Sequence, residues 1–533
     1  MKKIVILRNI YRDSFELMQF SERIRNLEGV SDAAILMGTG NNKKRLESLG
    51  FNKEELLSAS NNDICVGINY VDKSSLVIAE KEIDDFLKGK NKLKTENTVS
   101  TGFKPQSIES GLKFLPGANL VSISLPGEFA VEEARKSLNQ NLNVFLFSDN
   151  VSLDDELELK KIALSKNLFI MGPDCGTALI RGIPLGFCNI VSRGPVGLVA
   201  ASGTGAQEII CILDQHGIGI SHIIGTGGRD LSKSIKGITT RMGLTALNQD
   251  PNTEVIILIS KPADTIVRQQ IEEFANTLNK PVVSCIIGDV SGNTVELKNL
   301  IRTGSINHAA VIAASLINGK RLPKQLTFSD FSRIHTEELN QLRNSLSPKQ
   351  RYVRGLYSGG TLADEAAILL SALLPEVHAG TGFKDVLPIR NWEKSETNTM
   401  LDLGDDRFTQ GRPHPMIDPG IRLQRFNQES EDPEVAVIIL DIVMGTNTLE
   451  DPVSKFVNSI RQAKEKAQVE GRNLIVIVHI CASSKDKFNF PTTQAQQFRE
   501  AGCIVFDTNE EAVFMAGSIL KNLLKDFDNY DTE

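Results

Sequence analysis

Short apolar runs alternate with amphipathic stretches along nearly the whole chain. Residues 2–90 read as strand Lys3–Leu7, helix Ser14–Leu27, strand Ala33–Met37, a short helix, strand Ile64–Asn69 and helix Ser74–Leu87. That pattern predicts a small α/β sandwich of βαβ type. A polar, Lys-rich stretch from Lys88 to Lys104 reads as a linker. Residues 105–185 resume the alternation with strands at Leu120–Ser124, Val144–Phe147 and Leu168–Met171, the last running into Gly-Pro-Asp-Cys-Gly (172–176). The longest apolar runs, such as Val255–Ile259 and Leu474–Val478, have strand length and fall far below the roughly 20 residues that span a bilayer. The fold class expected throughout is α/β.

The pattern also repeats. Val196–Glu208 reads VGLVAASGTGAQE and Val353–Glu365 reads VRGLYSGGTLADE, so Gly203-Thr204 falls on Gly360-Thr361 and Glu208 on Glu365. Asp250-Pro251 before EVIILIS is matched by Asp432-Pro433 before EVAVIILD, and the loop Gly225–Asp230 by Gly404–Phe408. The second copy carries about 25 extra residues, most of them before Gly404. Two parallel-sheet domains are expected, over 190–320 and 345–525, joined by a polar helical linker. They would follow an N-terminal module over 1–90 and a Rossmann-like unit over 105–188.

Composition narrows the picture. The 533 residues suffice for about three or four domains. Apolar residues at 41% and charged residues at 23% are ordinary for globular chains. A net charge of −7 gives no footprint for nucleic acid or an anionic membrane. The seven cysteines form no C-x-x-C pair, which excludes a zinc ribbon and argues against a disulfide framework. No metal site is expected. The apolar run near the N-terminus is too short for a signal peptide, so the expectation is a soluble protein of a reducing cytoplasm.

Candidate chemistry gathers in glycine-rich loops. Ser202-Gly203-Thr204-Gly205 follows a strand and opens a helix, an arrangement whose free N–H groups bind anions. It recurs as Ser358-Gly359-Gly360-Thr361. Neither is a Walker A motif or a dinucleotide fingerprint, and a tight turn that binds nothing is the alternative. The loops holding Gly227, Gly228 and Arg229, and Asp405, Asp406 and Arg407, should lie beside them at the C-terminal sheet edge. Their arginines either clamp an oxyanion or pair with a neighbouring aspartate. Thr409–Pro419 (TQGRPHPMIDP) holds Arg412, His414 and Asp418 among three prolines, with Asp441 able to join them. His308 reads as a helix cap rather than a phosphorylated histidine, and Cys175 as a buried thiol rather than a nucleophile.

Taken together, MGPDCG (171–176), GPVGLVAASGTGAQE (194–208) and GTGGRD (225–230) resemble the α subunit of succinyl-CoA synthetases. Over its whole length, through LYSGGTLADE, LDLGDDRFTQGRPHPMIDP and DPEVAVIILDIVMG, the chain resembles the FdrA/AllF family. The resemblance implies a CoA-binding-type Rossmann-like domain and two flavodoxin-like, ligase-type domains. It also implies a role as one of the subunits of oxamate carbamoyltransferase, most simply with two other subunits. That enzyme moves the carbamoyl group of oxalurate to phosphate, giving oxamate and carbamoyl phosphate in allantoin breakdown. CoA or nucleotide binding would be implied too, but no glycine-rich fingerprint follows a first strand in 105–188. The catalytic candidates are Arg407, Arg412 and His414, with the two Gly loops as anion cradles. A succinyl-CoA synthetase-like ligase and a non-catalytic scaffold or regulator remain as alternatives.

Overall fold

The structure is a computed structural model and describes residues 1–10, 12, 14–87, 105–288, 295–380, 382–409, 413–486 and 492–527. Strands Lys2–Leu7, Val30–Met37 and Ile64–Tyr70 form the first sheet, with the third strand in the centre and antiparallel to both others. The βαβ unit expected from the sequence is thus split by an inserted strand. Period-two alternation explains the two layers. Ile64, Val66 and Ile68 face helices Ser14–Arg25 and Lys73–Leu87, while Cys65 faces the shorter helices on the other side.

Strands Leu120–Ile123, Asn143–Leu146 and Ile170–Met171 form a small parallel sheet. Helices Gly127–Asn139 and Leu153–Ser165 cover it. The hairpin Thr177–Ile180 and Ile183–Gly186 departs from the expected boundary at residue 188. It pairs antiparallel with strand Ile220–Gly225 and so belongs to the next sheet. An edge strand left open would expose a row of unpaired backbone groups, and this hairpin covers it.

The two repeats form sheets of matching order. In the first, the parallel strands run Ile220–Gly225, Val196–Ala201, Val255–Ser260, Val282–Ile286, Leu300–Thr303, the flavodoxin-like order 2-1-3-4-5. In the second, Asn398–Asp402, Tyr352–Tyr357, Val435–Val443, Ile475–Cys481 and Ile504–Phe506 follow the same order. Its additional strand, Val377–Ala379, lies at the edge within the extra residues of the second copy. Helices Phe328–Ile334 and Thr336–Asn344 occupy the linker.

The two repeats share one hydrophobic core, with Ile209, Ile312, Leu362 and Ile519 in the same buried cluster. The repeated glutamates tie this interface reciprocally. Glu208 Oε1 accepts the Asn509 N–H at 3.0 Å, at the start of the last helix of the second repeat. Glu365 Oε1 accepts the Ile306 N–H at 3.0 Å, at the start of the last helix of the first. Each repeat therefore satisfies an orphan helix N–H of the other. Asn509 Nδ2 links the pair by donating to Glu365 Oε2 at 2.9 Å. His479 Nε2 lies 2.8 Å from Glu208 Oε2 in the same buried layer.

Truncating Glu365 to alanine leaves the Ile306 N–H without its acceptor and takes from the Asn509 amide one of two, the Leu362 carbonyl remaining. Glu365→Ala should lower stability by about 1–3 kcal/mol, read from urea unfolding. An unchanged unfolding midpoint would show that the reciprocal caps do not hold the repeats together.

Candidate functional site

A cavity of about 420 Å³ opens where all four units meet, at the C-terminal ends of the parallel strands. The N-terminal module contributes Met37, Thr39 and Asn42, and the second unit contributes Gly127 and Ser148. The two repeats supply the polar floor, including both Gly loops, Lys261, Asp402 and His414.

The Gly loops do not form two separate cradles. Ser202 caps helix Gly203–Gln215, its Oγ accepting the Gly205 N–H at 3.0 Å. That hydroxyl also shares a 2.7 Å hydrogen bond with Thr361 Oγ1, in the first turn of helix Gly360–Ser371. The two helix starts touch. A Cβ on Gly359 would lie 2.3 Å from Thr204 Cγ2, so the approach itself demands glycine. The N–H groups of Gly203 and Thr204, and of Gly360 and Thr361, have no acceptor among the described residues. Gly205 packs beneath the loop against Thr361 and does not line the cavity. Ser358 is anchored rather than open to a ligand. Its N–H and Oγ both donate to buried Asp441, at 2.8 and 2.9 Å, and Arg422 holds Asp441 at 2.7 Å.

Lys261, which follows strand Val255–Ser260, makes no hydrogen bond or ion pair among the described residues. Burial opposes its charge, but Asp402, Asp174, Asp364 and Asp405 outweigh it and hold the ammonium above its ordinary value. The position of a Cβ on Gly360 would be 3.0 Å from Lys261 Nζ and 2.6 Å from Asp402 Oδ2. The missing side chain leaves room beside a cation and a carboxyl group at a helix start. Lys261 and Asp402 were absent from the sequence candidates. Both end or follow parallel strands next to a Gly loop, and that position was the available signal.

His414 is the one histidine lining the cavity among the described residues. Its Nδ1 accepts the Met416 N–H at 3.3 Å. Burial, helped by Arg422, pushes its pKa down to about 4, so the ring is neutral at pH 7 with its proton on Nε2. Of the two roles its residue type allows, donating a hydrogen bond or a proton near neutrality, the neutral ring supports the hydrogen bond. A Cβ on Gly404 would lie 2.7 Å from this Nε2 and 3.1 Å from Asp402 Oδ1.

Other expected residues are dispersed. Gly227, Gly228 and Asp406 line the cavity. Burial raises the Asp406 pKa, with Asp149 and Asp405 adding to the effect. Asp405 accepts the Arg407 N–H at 2.9 Å, and the Arg407 guanidinium lies 4.1 Å over the Trp392 ring, outside the lining. Arg229 pairs with Glu156 at 2.8 Å and does not line the cavity. Arg412 lies outside the described residues. Asp418 pairs with Arg25 and so ties this loop to the N-terminal module. Cys175 lines the cavity, but burial pushes its thiol up to about 12 and leaves it inert. His308 engages Thr303 Oγ1 at 3.0 Å and the Pro323 carbonyl at 3.1 Å, away from the cavity.

Residues 1–102 match the AllF, heavy metal-associated domain model, and residues 356–519 match the CoA-ligase model. The uncharacterized protein YahF of Escherichia coli (strain K12) is 39% identical over 517 residues, covering 96% of this chain and 98% of its own length. The chain belongs to the FdrA/AllF family. The succinate–CoA ligase [ADP-forming] subunit alpha of Aquifex aeolicus is 29% identical over 178 residues, 32% of this chain and 57% of that one. A dinucleotide-forming acetyl-coenzyme A synthetase of Ca. Korarchaeum cryptofilum, solved with phosphate and ADP, is 14% identical with a TM-score of 0.28, covering 78% of this chain and 85% of that one. The chain is succinyl-CoA synthetase α-like and carries a CoA-ligase domain.

The heavy-metal label of the first module finds no donor set. Residues 1–102 contain one cysteine, Cys65, and no histidine. Cys65 is buried in strand Ile64–Tyr70, and burial raises its thiol pKa. Among the described residues no group of three or more His, Cys, Asp or Glu side chains is placed to hold a metal ion. No helix among them is long and apolar enough to cross a membrane.

Two measurements follow from this geometry. Lys261→Met should weaken inorganic phosphate binding at least about tenfold in calorimetry, because the cavity loses the cation beside the two helix starts. Unchanged affinity would place the anion elsewhere. In NMR titration the His414 ring should stay neutral from pH 8 down to 5 and protonate near 4, and a midpoint above 6 would contradict its burial.

Proposed function

We propose that this chain is a subunit of oxamate carbamoyltransferase and carries its phosphate site. The observation that carries the reading is the junction of two helix starts at Ser202 and Thr361, with free N–H groups on both sides and Lys261 beside them. Each helix start contributes roughly half a positive charge, so their meeting point suits a doubly charged anion. A phosphate oxygen held there attacks the carbamoyl carbon of oxalurate. The amide bond to oxamate then breaks, and His414 Nε2–H stabilises the developing oxyanion. Arg412, two residues before His414 in the sequence, is assigned to the oxamate carboxylate.

The lining of the second unit supports this reading over CoA chemistry. Glu128, Asp149 and Asp174, with Asp406 of the second repeat, would repel the pyrophosphate of CoA, whereas carboxylates accept hydrogen bonds from the N–H groups of a ureido substrate. Neither the histidine of the expected segment nor the one at the cavity favours the phosphohistidine of a ligase mechanism. His308 is engaged at both ring nitrogens, and the Nδ1 lone pair of His414 is taken up by the Met416 N–H, which leaves the ring proton on Nε2. The partners in this reading are oxalurate, phosphate and two further subunits.

The assembled complex should consume carbamoyl phosphate when oxamate is supplied, and His414→Ala should lower turnover at least about tenfold without changing assembly. Incubation with ATP and magnesium should leave no phosphate on the protein. A stoichiometric phosphohistidine, with no carbamoyl transfer, would favour the ligase alternative.

A further inference from the structure

We propose that Asp402 carries the proton of this reaction, taking it from the attacking phosphate and delivering it to the departing amide nitrogen. This role rests on the function proposed above. The two oxygens of Asp402 face different parts of the site. Oδ1 accepts the Gly404 N–H at 2.9 Å and lies on the side of His414 Nε2, across Gly404. Oδ2 has no hydrogen bond among the described residues and faces the gap at Gly360, opposite Lys261 Nζ. An anion on the free N–H groups of Gly360 and Thr361 would enter this same gap, beside Oδ2 and Lys261. The two glycines are part of the arrangement. A side chain at Gly360 would fill the space between carboxyl and cation, and one at Gly404 would separate the carboxyl from the imidazole.

The chemistry requires one proton to move. Hydrogen phosphate dianion carries a proton that carbamoyl phosphate lacks, and the oxamate nitrogen gains one as its bond to the carbamoyl carbon breaks. The new bond is phosphate oxygen to carbamoyl carbon, and the electron pair of the broken C–N bond takes the proton. Asp402 begins and ends as the carboxylate. In the reverse direction it takes the amide proton of oxamate and returns it to the leaving phosphate. His414 cannot substitute, because its ring is neutral with Nδ1 already accepting.

The groups facing Asp402 are Lys261 after strand Val255–Ser260, Asp364 on helix Gly360–Ser371, Asp405 in its own loop and His414 across Gly404. Burial raises its pKa to about 7 despite the pull of Lys261, matched to proton exchange near neutral pH.

The test uses the assembled wild-type complex with carbamoyl phosphate and oxamate, neither of which titrates near neutrality. Because the carboxylate is the active form, kcat/KM should rise with pH through about 7. Asp402→Asn should lower kcat at least about 100-fold, remove that limb and leave phosphate affinity within about threefold. Should this variant not fold, Asp402→Glu carries the test, with the limb kept and kcat reduced. An active complex in which Asp402→Asn keeps both rate and limb, or Asp402→Glu keeps full kcat, overturns this role alone. An inactive wild-type assembly overturns the proposed function and this role with it.

Discussion

Two helix N-termini meet tip to tip, and most of the molecule is arranged around that contact. Each end concentrates roughly half a positive charge, so their convergence is unfavourable unless something negative or strongly polar intervenes. The Ser202–Thr361 hydrogen bond joins them, and Asp441 fixes the backbone of the second loop. Carboxylates at Asp402 and Asp364 lie close by, and an anion in the cavity would complete the neutralisation. Gly359 is glycine because Thr204 occupies the place of its side chain. The shared core and the reciprocal Glu208 and Glu365 caps hold the two repeats in the register this contact needs.

That dependence explains why duplication matters. A single flavodoxin-like sheet presents one helix start at its switch point, as many phosphate-binding folds do. Two such sheets sharing a core present a pair, and the cavity above them is closed by the other two units. The N-terminal module reaches the second repeat through Arg25 and Asp418 and contributes wall residues to the cavity. The second unit brings carboxylates, which set the character of the far end of the cavity.

Much of this was legible from the residues. The SGTG and SGGT loops gave away the duplication, and the order of apolar runs implied two parallel sheets. The hairpin at 177–186 was not legible, because its pairing to a later strand is a tertiary choice made to cover an edge. Side-chain direction was also hidden. Arg407 had the right loop but turns onto Trp392, and Arg229 turns to Glu156. Asp402, two residues before the glycine that the repeat highlighted, lines the cavity where Asp405 does not. Lys261 sat in an unremarkable Ser-Lys-Pro and acquired meaning only when the second repeat placed Gly360 against it.

The most direct test of the account is the stoichiometry of inorganic phosphate binding by calorimetry on the full chain. A shared junction predicts a single phosphate per chain, bound by both helix starts together and lost when Gly359→Val forces Thr204 away. Two independent phosphates per chain, or one that survives that substitution unchanged, would mean that the two Gly loops act separately and that their contact is only packing.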